Sequence, residues 1–185
     1  MQLNFLHLGS KENLIDGTAM HRLKINRDKR GMLMETLKED WADVFKRPEL
    51  QFGQSYYSIT LPGYARDEDQ WHVHPTKQVD RFIVIKGNAV VALFDWRKDS
   101  PTYGVLNLFR LGEANGDEGQ YLLLIPKNVL HAFCTVGKNP CFLISFPSHI
   151  YDSSEEGRVP FKDAGVVFSD NTPFSWDAIR QSFES

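Results

Sequence analysis

The stretch Trp71-His72-Val73-His74-Pro75-Thr76-Lys77-Gln78-Val79-Asp80 is the most informative in this chain. Its first residues read as a strand, where side chains two apart point to the same side. His72 and His74 therefore project together, both inward or both outward. Five residues separate His74 from Asp80, and six more lead from Asp80 to Gly87. Further on, Gly119-Gln120-Tyr121-Leu122-Leu123-Leu124-Ile125-Pro126-Lys127-Asn128-Val129-Leu130-His131 brings a third imidazole to the end of an apolar run. A lone His on a strand is usually a hydrogen-bonded structural residue, the default for His7, His21 and His149. Two at i and i+2, then an acid, then Pro126-x-Asn128-x-x-His131, point instead to a shared pocket.

Around this stretch the chain reads as all-β. From Phe52 onward, short apolar runs alternate with turn signals. The runs are Tyr56–Leu61, Trp71–His74, Arg81–Lys86, Ala89–Asp95, Gly104–Arg110, Tyr121–Ile125, His131–Val136 and Cys141–Phe146. The dividers include Pro62-Gly63, Gly87-Asn88, Asp99-Ser100-Pro101, Asn115-Gly116-Asp117 and Gly137-Lys138-Asn139-Pro140, where Gly and Asn supply positive φ and Pro presets its own. That strand count predicts a double-sheet jelly roll whose interior can hold a small ligand. One domain is expected over residues 1–185: an N-terminal segment to 50, a barrel from about 51 to 150, and a C-terminal segment from 151. Glu35 to Glu49, with Leu37, Trp41 and Phe45 at helical spacing, is expected to hold a short helix or turn that Pro48 would stop. A terminal helix is expected after Ser175, with Ala178, Ile179 and Phe183 on one side. Arg81 to Asp95 is apolar on both faces, so the outer face needs cover. A two-fold homodimer is the commonest way to provide it.

Composition excludes some functions. The net charge is -3 and the basic residues are scattered, so nothing suggests a nucleic-acid binder. No signal peptide or bilayer-spanning apolar run is present, and the expectation is a soluble, cytoplasmic protein. Cys134 and Cys141 flank a predicted turn and could approach across two strands; the stronger reading is two small buried thiols.

The two histidine stretches resemble the paired motifs of cupins: a glycine, His-x-His, an acid, six residues and a glycine, then Pro-x-Gly-x-x-His. Here the acid is Asp80, Asn128 replaces a glycine, and Gly63 lies further from His72 than in that pattern. In metal-binding cupins such residues hold a divalent metal, so the implied ligands are His72, His74, Asp80 and His131. Three imidazoles and a carboxylate would suit Zn, Fe, Mn, Ni or Cu. Asp80 can equally cap a turn or pair with Arg81 or Lys77.

A second resemblance is longer. Asp95-Trp96-Arg97-Lys98-Asp99-Ser100-Pro101-Thr102-Tyr103-Gly104 is similar to the Asp-x-Arg-x-x-Ser-Pro-Thr-Phe-Gly signature of dTDP-4-dehydrorhamnose 3,5-epimerases. Leu124-Ile125-Pro126-Lys127-Asn128-Val129-Leu130-His131-Ala132-Phe133 and Asp28-Lys29-Arg30-Gly31 with Glu35 extend the likeness from about residue 20 to about residue 160. The resemblance implies a cupin-type double-stranded β-helix that epimerises a nucleotide-linked 4-keto sugar by proton abstraction beside the ketone. It implies a homodimer and no cofactor. By position, the implied base is His74, the pocket imidazole His131, the orienting acid Asp177, and the substrate-binding residues Arg30, Glu35 and Gln54.

Three departures stand out. Trp71-His72 replaces Arg-Gly, Asp80 replaces an enolate-stabilising Lys, and Ile144 falls where the family has a catalytic Tyr. Tyr151 and His149 are candidate substitutes for the last. Replacing Gly by His72 and Lys by Asp80 could convert an acid–base pocket into a metal site, with the metal as Lewis acid. The alternatives are therefore a metal-dependent cupin enzyme acting on another small molecule, such as a sugar isomerase or dioxygenase, and a non-catalytic sugar-binding jelly roll.

Overall fold

The computed structural model describes residues 3–45 and 48–183. All eight apolar runs become strands: β5 (Tyr56–Thr60), β6 (Gln70–Val73), β7 (Asp80–Lys86), β8 (Asn88–Phe94), β9 (Leu106–Gly112), β10 (Tyr121–Ile125), β11 (Leu130–Val136) and β12 (Cys141–Ser145). Before them lie β1 (Phe5–Leu6), β2 (Ala19–Arg22), β3 (Ile25–Asp28) and β4 (Gly31–Met34), and after them β13 (Gly157–Pro160). A six-stranded sheet in the order β1-β9-β8-β11-β6-β13 faces a five-stranded sheet in the order β2-β10-β7-β12-β5, which is the expected jelly roll. β3 and β4 form a separate hairpin.

Alternation along each strand sorts the side chains into three apolar layers. Between the sheets lie Phe82 and Val84 of β7, Phe133 of β11, and Cys141 and Leu143 of β12. Outside the six-stranded sheet, Trp71, Val73, Ala132 and Cys134 pack against Val166, Phe168, Phe174, Trp176 and Ile179 of the C-terminal segment. Outside the five-stranded sheet, Ile83 and Leu122 pack against Leu23, Val44 and Leu50 of the N-terminal segment. The outer faces that seemed to need a partner are thus covered by the chain's own termini. The two cysteines are buried and free, one in the outer layer and one between the sheets.

Arg81 shows how the N-terminal segment is tied down. It is fully buried on the outer side of β7, where its guanidinium donates to the carbonyls of Val44, Leu50, Gln51 and Phe146. Because Arg81 faces outward, Asp80 must face inward, and the two do not pair. Lys77 pairs with Asp152 instead. The segment from Glu35 resolves as turns, with Phe45 N–H bonding Trp41 O at 2.8 Å. Pro48 does not stop a helix; it opens a single 3₁₀ turn, Pro48–Leu50, where its missing N–H costs nothing. Among the described residues two short helices follow, α1 (Phe161–Ala164) and α2 (Trp176–Gln181). Ser175 caps α2 as expected, its Oγ accepting from Ala178 N–H at 3.3 Å.

The Asp95–Gly104 signature is a structural loop. The Asp95 carboxylate is fully buried and accepts from the Arg97 guanidinium at 2.8 and 2.9 Å and from the Ser100 and Thr102 hydroxyls at 2.6 Å each. Those bonds hold it ionised, well below the usual carboxylate range despite burial. Gly104 supplies the positive φ, 83°, with which the loop returns to β9.

Candidate active site

Because Trp71 and Val73 face the outer layer, His72 points between the sheets, and the chain keeps His74 on the same side. In the antiparallel β6–β11 pair, His131 stands directly opposite His72. Their rings stack with centroids 5.0 Å apart, and the His74 ring lies 4.5 Å from His72 and 5.5 Å from His131. Asp80 enters from β7 of the other sheet. The four residues that the sequence grouped are therefore one cluster, and three of them, His72, Asp80 and His131, line a cavity of about 710 Å³.

The five residues between His74 and Asp80 fold around a carboxylate that sequence reasoning did not single out. Glu155 is almost fully buried and accepts from the N–H groups of Thr76, Lys77 and Gln78 and from the Thr76 hydroxyl. Its pKa is drawn down to about 2: burial opposes the shift, but these donors outweigh it. At the far side, Asn128 adopts φ 56°, the left-handed value its place in the motif required. Its N–H bonds His74 O at 2.7 Å and its side chain accepts from Trp96 Nε1 at 3.1 Å, fastening the second motif to the first.

Within the cluster, His74 and Asp80 form a buried dyad, Nε2 to Oδ2 at 3.0 Å. His74 Nδ1 lies 2.9 Å from Glu155 O. A carbonyl only accepts, so Nδ1 carries a hydrogen in either charge state. Nε2 is then the atom that gains or loses a proton, and both states are served. Neutral, it can accept from Gln78 Nε2 at 2.9 Å; protonated, it donates to Asp80. Gln78 also donates to Asp80 Oδ1 at 3.0 Å. Burial opposes both charges, yet their mutual attraction wins: the His74 pKa is raised and that of Asp80 lowered.

The other two imidazoles stay neutral. Burial, with a smaller contribution from positive charge on His74, takes His131 down to about 4. Its Nδ1 lies 3.1 Å from Val129 O, and its Nε2 lies 3.6 Å from Asp80 Oδ2. Burial and the neighbouring imidazoles lower His72 further. His72 Nε2 is 3.3 Å from Glu156 Oε2 but out of hydrogen-bond alignment, which leaves it a buried polar atom without a partner.

The cavity is walled by His72, His131, Asp80, Phe82 and Tyr56, with Arg66, Asp67 and Arg158 also lining it; His74 stands behind Asp80. Arg158 on β13 lies directly across from His72, so a cation occupies the neighbourhood where the sequence had seemed to lose one. It is held 3.3 Å from both Asp67 and Glu156. Neither Arg158 nor Tyr56 was visible beforehand, because only strand pairing brings them to the histidines.

The structure corrects several assignments. Asp177 does not reach His74; it is exposed on α2 and pairs with Arg180 at 2.9 Å. Asp80 holds His74 instead. Ile144 packs on the outer side of β12, against the N-terminal layer, so its alternation parity keeps it out of the cavity; Ser145 and Leu143 face in. Arg30 is exposed in the β3–β4 turn and bonded to Asp28, Glu35 is exposed 3.7 Å from Lys38, and Tyr151 is exposed. Gln54 is half-buried just before β5, and none of these four lines the cavity. His149 bonds its neighbour Ser148 at 2.8 Å. Among the described residues, His72, His74 and His131 form a group whose potential ligand atoms lie within 4.8 Å of one another; Asp80 is committed to His74.

A jelly roll with three histidines and a buried His–Asp pair gathered between its two sheets is a cupin. The model of the dTDP-4-dehydrorhamnose 3,5-epimerase family matches residues 12–175, and the chain belongs to that family of sugar epimerases. It is 38% identical over 149 residues to a probable low-salt glycan biosynthesis epimerase, Agl13, of Haloferax volcanii, covering 80% of this chain and 88% of that protein. It is 34% identical to the spore coat polysaccharide biosynthesis protein SpsL of Bacillus subtilis, covering 87% of this chain and 99% of that one. Among solved structures, a dTDP sugar isomerase from Desulfovibrio desulfuricans superposes with a TM-score of 0.70 at 27% identity, covering 88% of this chain and 92% of that one. No helix among the described residues is long and apolar enough to cross a membrane.

Proposed function

We propose that this protein epimerises a nucleotide-linked 4-keto sugar, with the His74–Asp80 dyad as the base. The observation that carries this is the dyad itself, a 3.0 Å pair whose titrating atom, His74 Nε2, has a partner in both charge states. A carbon beside a ketone is a weak acid, so its removal needs a base near neutrality and a donor for the developing oxyanion. Asp80 faces the cavity and His74 behind it stores the proton, so the pair acts as one unit. His72, neutral and with an unpartnered Nε2 at the cavity wall, is the donor toward the oxyanion, and Arg158 adds positive potential beside it.

The test is deuterium incorporation from D₂O beside the ketone of a dTDP-4-keto-6-deoxy sugar. Wild type should exchange; His74→Asn should lose about two to four orders of magnitude in rate while keeping its fold. Tight binding of the nucleotide sugar without any exchange would overturn the enzymatic reading.

A second reading has one observation in its favour: the orphaned His72 Nε2 beside two other imidazoles. His72, His74 and His131 could hold Zn, Fe, Mn or Ni, which would polarise the substrate carbonyl. His72→Gly separates the two. A metal reading expects stoichiometric metal in wild type and none in the variant; the dyad reading expects exchange to persist, slowed, in both the presence and absence of chelator.

The assembly is read as a homodimer. Tyr57 and Ile59 on edge strand β5, Leu61 just after it, and Met32 and Leu33 on the β3–β4 hairpin are exposed apolar side chains at open strand edges. Light scattering at micromolar concentration checks it, and a monomer would refute it.

A further inference from the structure

The His74–Asp80 pair spans the two sheets. His74 follows β6 in the six-stranded sheet and Asp80 opens β7 in the five-stranded one, and these two strands do not pair. No shared ladder of backbone hydrogen bonds therefore sets the 3.0 Å distance between the two side chains. That distance depends on how residues 75–79 cross from one sheet to the other, and on which way the His74 ring is turned.

One residue governs both. The Glu155 carboxylate gathers the crossing. Its Oε2 accepts from the successive N–H groups of Thr76, Lys77 and Gln78 at 3.2, 3.0 and 3.4 Å, and its Oε1 accepts from the Thr76 hydroxyl. Successive N–H groups around one oxygen make an anion nest. Here the nest holds Gln78 where its amide reaches both His74 Nε2 and Asp80 Oδ1. The Glu155 carbonyl turns the ring. It takes the Nδ1 hydrogen of His74 at 2.9 Å, which leaves Nε2 to face Asp80. The strand that follows brings Glu155 to this place. Gly157 of β13 pairs with Val73, the neighbour of His74, so closely that a Cβ on it would lie 2.6 Å from the Val73 side chain. Among the described residues the buried carboxylate meets N–H and O–H donors of the crossing alone; Lys77, in the same turn, gives its ammonium to Asp152 at 2.7 Å.

We propose that Glu155 is a positioning residue of the epimerisation, aligning both halves of the dyad from outside the cavity. Its carboxylate sets the crossing that presents Gln78 and Asp80, and its carbonyl sets the tautomer of His74. The kinetic part of this assignment rests on the epimerase reading.

Two conservative variants separate geometry from charge. Glu155→Gln loses the charge but can keep the arrangement, its amide oxygen replacing Oε2 and its NH₂ donating to the Thr76 hydroxyl, which can accept. Glu155→Asp keeps the charge but draws the carboxylate back by about 1.5 Å, one C–C bond. Epimerisation of a dTDP-4-keto-6-deoxy sugar is followed by NMR, and the ¹⁵N shifts of the His74 ring are read with the ring neutral and no substrate present. Glu155→Gln should keep kcat within about threefold of wild type and the hydrogen on Nδ1, whereas in Glu155→Asp kcat should fall about a hundredfold, the scale of a catalytic group displaced by an ångström. The ring in that variant should become a mixture of tautomers. KM should barely change in either, because Glu155 does not line the cavity. A merely structural Glu155 would lower the melting temperature of Glu155→Asp and leave kcat per folded molecule and the tautomer as in wild type. That result overturns the proposal, as does a glutamine variant more impaired than the aspartate one. If wild type shows no epimerisation, the epimerase reading falls, while the ring shifts, read on the protein alone, still decide whether Glu155 aligns His74.

Discussion

Two residues that look interchangeable in sequence, His74 and His131, are set apart by what each faces. His131 has only a distant contact with Asp80 and is driven down to about 4 by burial, whereas His74 shares a hydrogen bond with that carboxylate and is raised above its ordinary 6.5. A base must be neutral before it can accept a proton. The acidic limb of the kcat/KM profile should therefore rise through a value above 6.5, that of His74 in the dyad. Asp80→Asn removes the anion but leaves the burial, so the limb should move to lower pH. A pH–rate series on both proteins checks this, and an unmoved limb would count against the dyad.

At the scale of elements, the two most recognisable motifs turn out to shape loops. Asp95 is a buried anion paired with Arg97 and two hydroxyls. Asp95→Asn leaves Arg97 without its counter-charge and should cost about 3 kcal/mol, a scale typical of breaking a buried pair, read as a lower urea midpoint. Activity per folded molecule should change far less, because Asp95 is not part of the cavity wall. Asn128 tests backbone conformation instead. At φ 56°, Asn128→Ala should cost about 1–2 kcal/mol for the left-handed conformation, plus the lost Trp96 bond. Asn128→Gly should lose only the latter, so thermal melts should rank wild type above Gly above Ala.

For the whole molecule, the cluster makes stability depend on pH. His72 and His131 have folded-state pKa values below the ordinary 6.5, so between 6.5 and about 4 the unfolded chain binds protons that the folded chain does not. Their contribution is full above 6.5 and is lost as pH falls through the folded values. Glu155, at about 2, and Asp95 extend the same trend to lower pH. His74 runs the other way, stabilising below 6.5 and losing that contribution as pH rises through its raised value. Urea midpoints should therefore fall from pH 7 to pH 4, and His131→Asn should flatten that slope. An unaltered slope would mean that His131 is not buried neutral.

Alternation and turn chemistry were enough to place all eight barrel strands, the shared side of His72 and His74, the third imidazole at His131, and the capped helix after Ser175. Each of these depends on residues close together in the chain: a period of two, a turn residue, a cap. What no local pattern could supply is which side chains meet across strands. Arg158 reaches His72 by β13–β6 pairing and Tyr56 reaches Ser145 by β5–β12 pairing, separations of 86 and 89 residues. The roles of Asp80, Asp177 and Ile144 were likewise decided by tertiary packing. Alternation turned Asp80 inward and Ile144 outward, and the docking of α2 outside the six-stranded sheet left Asp177 in solvent. Motif positions are set by local geometry, but the charge state of a buried group is set by its neighbours in space, and those neighbours exist only once the sheets have closed.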